Sequence, residues 1–164
     1  MTDKLLMREV IFKNLKEGLF LSNKNIKLIW CVELQSLKTL SDNYLFKKDY
    51  CFLNFGNCLI FEDFQIELST SKLTVSGTKF TEIGGALNNN AEAKILHKRL
   101  ENVIGEADSF SETYGEIQAH WENDFNKIII YPRHHMGGEW FEYKIMRKNC
   151  HQHGFVASGA DVSY

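Results

Sequence analysis

Between Glu139 and Met146 the chain alternates strictly, with Phe141, Tyr143 and Ile145 interleaved with Trp140, Glu142 and Lys144. A period of two sends the first set to one side of an extended strand and the second to the other, so this segment predicts a strand with one buried and one wet face. Ile117, Ala119 and Trp121 stand in the same relation to Glu116, Gln118, His120 and Glu122, and Phe64, Ile66 and Leu68 to Gln65 and Glu67. Leu73 and Val75 continue the pattern beyond a polar turn at Ser69-Thr70-Ser71, and Asn123-Asp124-Phe125-Asn126 turns the chain into a further strand at Lys127–Tyr131. Two apolar runs, Tyr50–Phe55 and Cys58–Phe61, flank Gly56-Asn57, a pair that tolerates positive φ and predicts a hairpin. An aromatic content of 13% and a single proline, Pro132, agree with a chain built mainly of strands.

Strands with one apolar face need a cover. Ile95, Leu96, Leu100, Val103 and Ile104 form one helical stripe, opposed by Lys94, Lys98, Arg99 and Glu101. With Asn90 as N-cap and Gly105 past the end, the helix is expected over about residues 91–104. Near-threefold spacing of Ile29, Val32, Leu34, Leu37 and Leu40 predicts a shorter amphipathic helix, stopped at Ser41-Asp42-Asn43, whereas Arg8–Asn25 reads as strand and loop. The expected architecture is α+β: an antiparallel sheet with one long central helix, plus a short N-terminal helix, packed on one face. Residues 1–146 are expected to form a single domain. Residues 147–164, rich in Gly, Ser and Ala from His151 onward, read as a loose C-terminal tail.

At 164 residues the chain is long enough to bury a core without a staple. Leu5-Leu6-Met7, followed by Arg8 and Glu9, is too brief an apolar patch for a secretion signal, and no stretch approaches a membrane span. The four cysteines make no CxxC pair, so buried free thiols in a reducing cytoplasm are expected, with Cys51 and Cys58 able to face each other across the hairpin. The net charge of −2 and the lack of a basic tract argue against direct binding of nucleic acid.

Candidate chemistry is sparse. His134-His135 beside Met136-Gly137-Gly138, together with Cys150-His151-Gln152-His153, could supply metal ligands, but no HExxH or paired CxxC fixes their geometry. Gly84-Gly85 and Gly137-Gly138 lack phosphate-loop spacing and read as turns, and no GxSxG elbow is present. No catalytic residue, metal or cofactor is therefore assigned. The wet sheet face instead carries Glu67, Glu116, Gln118, His120, Glu122, Trp140, Glu142 and Lys144, mostly acidic with one large aromatic, and Asp63 and Asp124 at turns extend its field. Exposed Trp is enriched at interface hot spots, and an acidic patch steers in a basic partner.

Leu28-Ile29-Trp30-Cys31-Val32-Glu33-Leu34, the Cys58-Leu59-Ile60-Phe61 hairpin, the helix Leu96–Gly105 and the pair His120-Trp121-Glu122 and Ile128-Ile129-Ile130-Tyr131 form an arrangement over about residues 10–146. It resembles the small cytoplasmic immunity proteins of bacterial polymorphic toxin systems, contact-dependent growth inhibition among them. The resemblance implies a non-enzyme that binds one cognate toxin domain, often a nuclease, and blocks it by occlusion. On the residues themselves, Glu122, Trp140, Glu142, His120 and Asp124 are the expected toxin-binding set. The alternative is a small-ligand or metal-binding accessory domain built on the His134/His135 loop.

Overall fold

The alternating segments assemble into an eight-stranded sheet in which every neighbouring pair is antiparallel. A computed structural model describes residues 3–48, 50–61, 64–72, 78–135 and 138–150. Its elements are α1 (Asp3–Leu15), β1 (Gly18–Leu21), β2 (Ile26–Ile29), a 3-10 helix (Leu34–Leu40), β3 (Asn43–Lys47), β4 (Tyr50–Ile60) and β5 (Phe64–Lys72). There follow β6 (Glu82–Leu87), α2 (Asn90–Ile104), β7 (Ser109–Thr113), β8 (Glu116–Glu122), β9 (Asn126–His135) and β10 (Gly138–Arg147). The strand order is β3-β4-β5-β6-β10-β9-β8-β7, and β1 and β2 pair separately as a hairpin. Leaving β6, the chain crosses the sheet as α2, reaches the far edge at β7, and returns as a four-stranded meander.

One side of the sheet is the core. Trp121, Ile128, Ile130, Phe141, Tyr143 and Ile145 meet Ala93, Leu96, Leu100 and Ile104 of α2 there. Each such side chain taken from water contributes about 1.5–3 kcal/mol. Over the other half of the same side, the β1–β2 hairpin and the 3-10 helix pack on β4, and α1 packs on α2 and β1. Trp30 ties these parts together: its ring stacks on Phe80 at 4.8 Å, and its Nε1 donates to the Leu15 carbonyl at 2.7 Å.

The α+β class and the large antiparallel sheet stand, but the sheet is not covered by one dominant helix. α2 has 15 residues and α1 has 13. α1 occupies a stretch expected as strand and loop, because its apolar residues lie all around the helix and leave no single stripe to read. Ile11, Phe12 and Leu15 are buried, whereas Leu6, Met7 and Val10 stay exposed. The predicted helix across Ile29–Leu40 resolves into the end of β2, a turn and the 3-10 helix, in which Leu34 and Leu37 are buried. On α2 the buried stripe is Ala93, Leu96, Leu100 and Ile104; Ile95, one position from Leu96, falls a hundred degrees round the helix and is exposed. Its N-cap is Asn89, whose side chain accepts the Glu92 N–H, one residue earlier than expected.

Glycine accounts for two further corrections. Gly56 makes no turn. β4 runs straight through it with a bulge at Asn54/Gly56, where Gly56 takes φ +69° and its N–H donates to Asn54 Oδ1 at 2.6 Å. Gly84-Gly85 is not a loop but the middle of β6, where neighbours come too close for side chains. A Cβ at Gly84 would lie 2.0 Å from the Tyr143 carbonyl oxygen, and one at Gly85 2.4 Å from that of Glu67. The polar turn expected at Ser69-Thr70-Ser71 is continuous β5; Leu73, Val75, Asp63 and Gly137 lie outside the described residues.

The cysteines also depart from expectation. Cys31 and Cys150 form a disulfide with Cα atoms 5.2 Å apart, closing a separation of 119 residues, whereas Cys51 and Cys58 stay as buried thiols. Arg147 and Cys150 are therefore fastened to the fold; residues 151–164 of the expected tail lie outside the described residues.

Urea unfolding is expected to show Gly84→Ala less stable than the parent by at least about 2 kcal/mol, since the obstacle is backbone. Gly138→Ala, where a Cβ meets nothing, should stay within about 0.5 kcal/mol. Thiol titration of the denatured, unreduced protein should count two thiols, and four after reduction.

Candidate functional site

The side of the sheet opposite α2 carries every polar residue that the alternation assigned to it within the described strands. Strand register fixes the rows: His120 lies opposite Ile129, which lies opposite Lys144, and Tyr131 lies opposite Glu142. Glu122 is paired with Lys127, and Trp140 with Arg133. Among the described residues no helix packs on this side.

The expected set shares the face but splits into two groups. Lys127, opposite Glu122, is itself opposite Met146, six residues along β10 from Trp140. At a rise of about 3.3 Å per residue, the two ends stand roughly 20 Å apart. At one end His120 Nε2 is 3.1 Å from Glu122 Oε1, and Lys148 Nζ donates both to Glu122 Oε2 and, at 2.7 Å, to the Asn123 carbonyl. Just behind, Asp108 accepts from Arg8 of α1 at 2.6 Å and from the Glu122 N–H at 2.8 Å. Asp124 sits exposed in the β8–β9 turn, held there by Asn123 Oδ1, which accepts the Phe125 and Asn126 N–H groups.

At the other end Glu142 is the hub. It accepts the Tyr131 hydroxyl at 2.9 Å and the Trp140 indole N–H at 3.0 Å, and Arg133 Nε stands 3.8 Å from the same carboxylate. Between the ends, Lys144 reaches Glu82 at 3.4 Å and lies 5.9 Å from the Tyr131 ring. The face is therefore not the acidic patch that the sequence suggests. Glu67, Glu82, Glu116, Glu122 and Glu142 are interspersed with Lys127, Arg133, Lys144 and Lys148, and most of the carboxylates already have a cation.

Several pKa directions follow from this pairing. The Lys148 ammonium holds the Glu122 carboxyl below the usual carboxylate range. Partial burial alone would raise Asp108, but the Arg8 guanidinium and the Glu122 N–H outweigh it and bring the group down. Lys144 is the reverse case: burial disfavours its charge, yet Glu82 and Tyr131 together raise it. On the core side, burial lowers His97, which lies 4.8 Å from the Phe110 ring and 5.7 Å from Trp121.

Tyr131, Arg133 and Lys148 are participants that the sequence reading passed over. Tyr131 and Arg133 were legible in principle, since Lys127, Ile129, Tyr131 and Arg133 continue the period of two against Ile128 and Ile130. Pro132 hid them, because a proline ends most strands. Here it is tolerated since β9 pairs with β8 only as far as Ile130, so the β8–β9 ladder asks for no N–H at Pro132. His134 is turned to Glu116, at 3.3 Å, and among the described residues no three His, Cys, Asp or Glu converge as metal donors. Among them, too, no helix is long and apolar enough to cross a membrane. No protein-family model, curated protein or solved structure matches the chain.

Glu122 and Asp108 ionise more readily folded than unfolded, so their contribution is complete above the ordinary carboxylate range and is lost as pH falls through their lowered values. Urea midpoints measured from neutral pH downward should hold steady and then drop in the acid range. Lys148→Met should flatten part of that drop while costing no more than about 1 kcal/mol at neutral pH, as befits a half-exposed pair.

Proposed function

We propose that this protein works by binding another protein through the open side of its sheet, and that the partner is a toxin domain it neutralises by occlusion. The observation that carries the reading is the gathering of Trp140, Tyr131 and Arg133 around Glu142 on a sheet face that no helix covers among the described residues. Trp, Tyr and Arg are the residue types that dominate interface hot spots. Held by hydrogen bonds before any partner arrives, they lose little side-chain freedom on binding. Strands beneath them add rigidity, so the face offers a fixed template about 20 Å long.

Occlusion suits a rigid face. It requires shape and charge to match one partner surface and asks for no group that changes covalently. The resemblance to immunity proteins supplies the toxin as partner class. A mixed-charge face adds a refinement: affinity rests on the aromatic cluster, and the carboxylates at either end set orientation and salt dependence. The Cys31–Cys150 disulfide, beside the shared core around Trp30 and Phe80, holds the chain as far as Cys150 in place beneath this face.

The test is co-expression with candidate toxin domains, starting with any encoded beside this chain, followed by affinity measurement on the purified pair. A one-to-one complex that restores growth is expected. Trp140→Ala with Tyr131→Ala should weaken it by about a hundredfold or more. Glu122→Lys with Glu142→Lys should change its salt dependence, and Ile95→Ala, on the helix side, should do neither. Affinity indifferent to the Trp140 and Tyr131 changes contradicts the proposed face.

A further inference from the structure

A second surface lies beside α1, where that helix packs on β1. Helix α1 and the outer side of the β1–β2 hairpin enclose an open groove of about 740 Å³. Its floor is the buried trio Ile11, Leu15 and Leu19, and its walls are Met7, Val10 and Phe20, which are 49%, 45% and 49% exposed. Three half-exposed apolar side chains facing a common trough form the kind of continuous apolar patch that marks a contact site.

Charge narrows the occupant. Around the groove stand Lys13, Lys16 and Lys27 against one carboxylate, Glu17, so its rim is positive on a chain whose net charge is −2. Glu17 is paired with Lys27 at 3.4 Å, and Lys16 is poised over the Phe125 ring at 4.3 Å. Lys13 has no partner among the described residues. Openness narrows it further. An acyl chain laid in a trough that open would keep one side in water, leaving apolar surface uncovered. An amphipathic helix turns its own polar side to the water instead, sets its apolar stripe on Met7, Val10 and Phe20, and brings acidic flanks to the lysines.

We infer that the groove between α1 and the β1–β2 hairpin docks an acidic amphipathic helix of a partner protein. The groove lies beside α1, away from Trp140 and Glu142, although Lys16 on its rim reaches Phe125, next to Asp124; the Trp140→Ala arm below is what separates this inference from the proposed toxin-binding face.

The probe is a labelled peptide of about five helical turns with leucines at i, i+3, i+4 and i+7 spacing and glutamates on both flanks, followed by fluorescence anisotropy against the full chain. Saturable binding is expected. Val10→Glu with Phe20→Glu should weaken it by about tenfold or more, as should Lys13→Glu with Lys16→Glu, whereas Trp140→Ala should leave it unchanged. All four substituted positions of the first two variants are exposed, and circular dichroism with a thermal melt verifies that each variant is folded. Three results would overturn the inference: no saturation up to about 1 mM peptide, equal binding of a scrambled peptide, or affinity indifferent to the groove variants. Two competing occupants are also tested and would overturn it: preferential binding to phosphatidylglycerol vesicles that the groove variants abolish, and a concentration-dependent dimer that they dissolve.

Discussion

One-sided burial of the sheet is the constraint on which the rest depends. Trp121, Ile128, Ile130, Phe141, Tyr143 and Ile145 can leave water only on the side that α2 covers, and a period of two then forces His120, Tyr131, Glu142 and Lys144 to the other side. A slip of one residue in any of these strands would bring the polar set into the core. The register that secures the core therefore also composes the face that meets a partner. Close approaches at Gly84 and Gly85 belong to the same constraint, because they let β6 and β10 sit close enough for Tyr143 to reach across to the Glu67 carbonyl.

Much of this was legible where a single period ran uninterrupted. β8, β10 and α2 emerge nearly at their true limits because each has one buried stripe and a polar remainder. Legibility failed for particular physical reasons. α1 mixes apolar and charged residues on every side, since one side packs inward and another lines the groove, so its period cancels. Gly56 and Gly84-Gly85 read as turns because glycine marks both positive φ and close backbone approach, and only the neighbouring strand distinguishes the two. β7 carries no buried stripe for a period to mark, since all five of its residues are exposed, and only its pairing with β8 makes it a strand. The Cys31–Cys150 pairing depends on contacts 119 residues apart, which no local pattern carries.

The candidate site follows the same rule. Its membership by face was readable, as Glu122, Trp140, Glu142 and His120 show, but its charge was not. Counting carboxylates along β8 and β10 omits the cations that pairing brings in from elsewhere, Arg133 from β9 and Lys148 from beyond β10. What looked like an acidic field is two neutralised clusters, and the one around Glu142 concentrates the aromatic and guanidinium groups suited to recognition.

Hydroxyl-radical footprinting of the tryptophans, alone and with the toxin domain that co-expression identifies, tests the central claim most directly. In the isolated chain Trp140 should oxidise while Trp30 and Trp121, both buried in the core, stay protected. In the complex Trp140 and Tyr131 should become protected and Met7 on the far groove should remain reactive. Protection of Met7 and Phe20 with Trp140 still reactive would move the partner to the other side of the molecule and contradict the account.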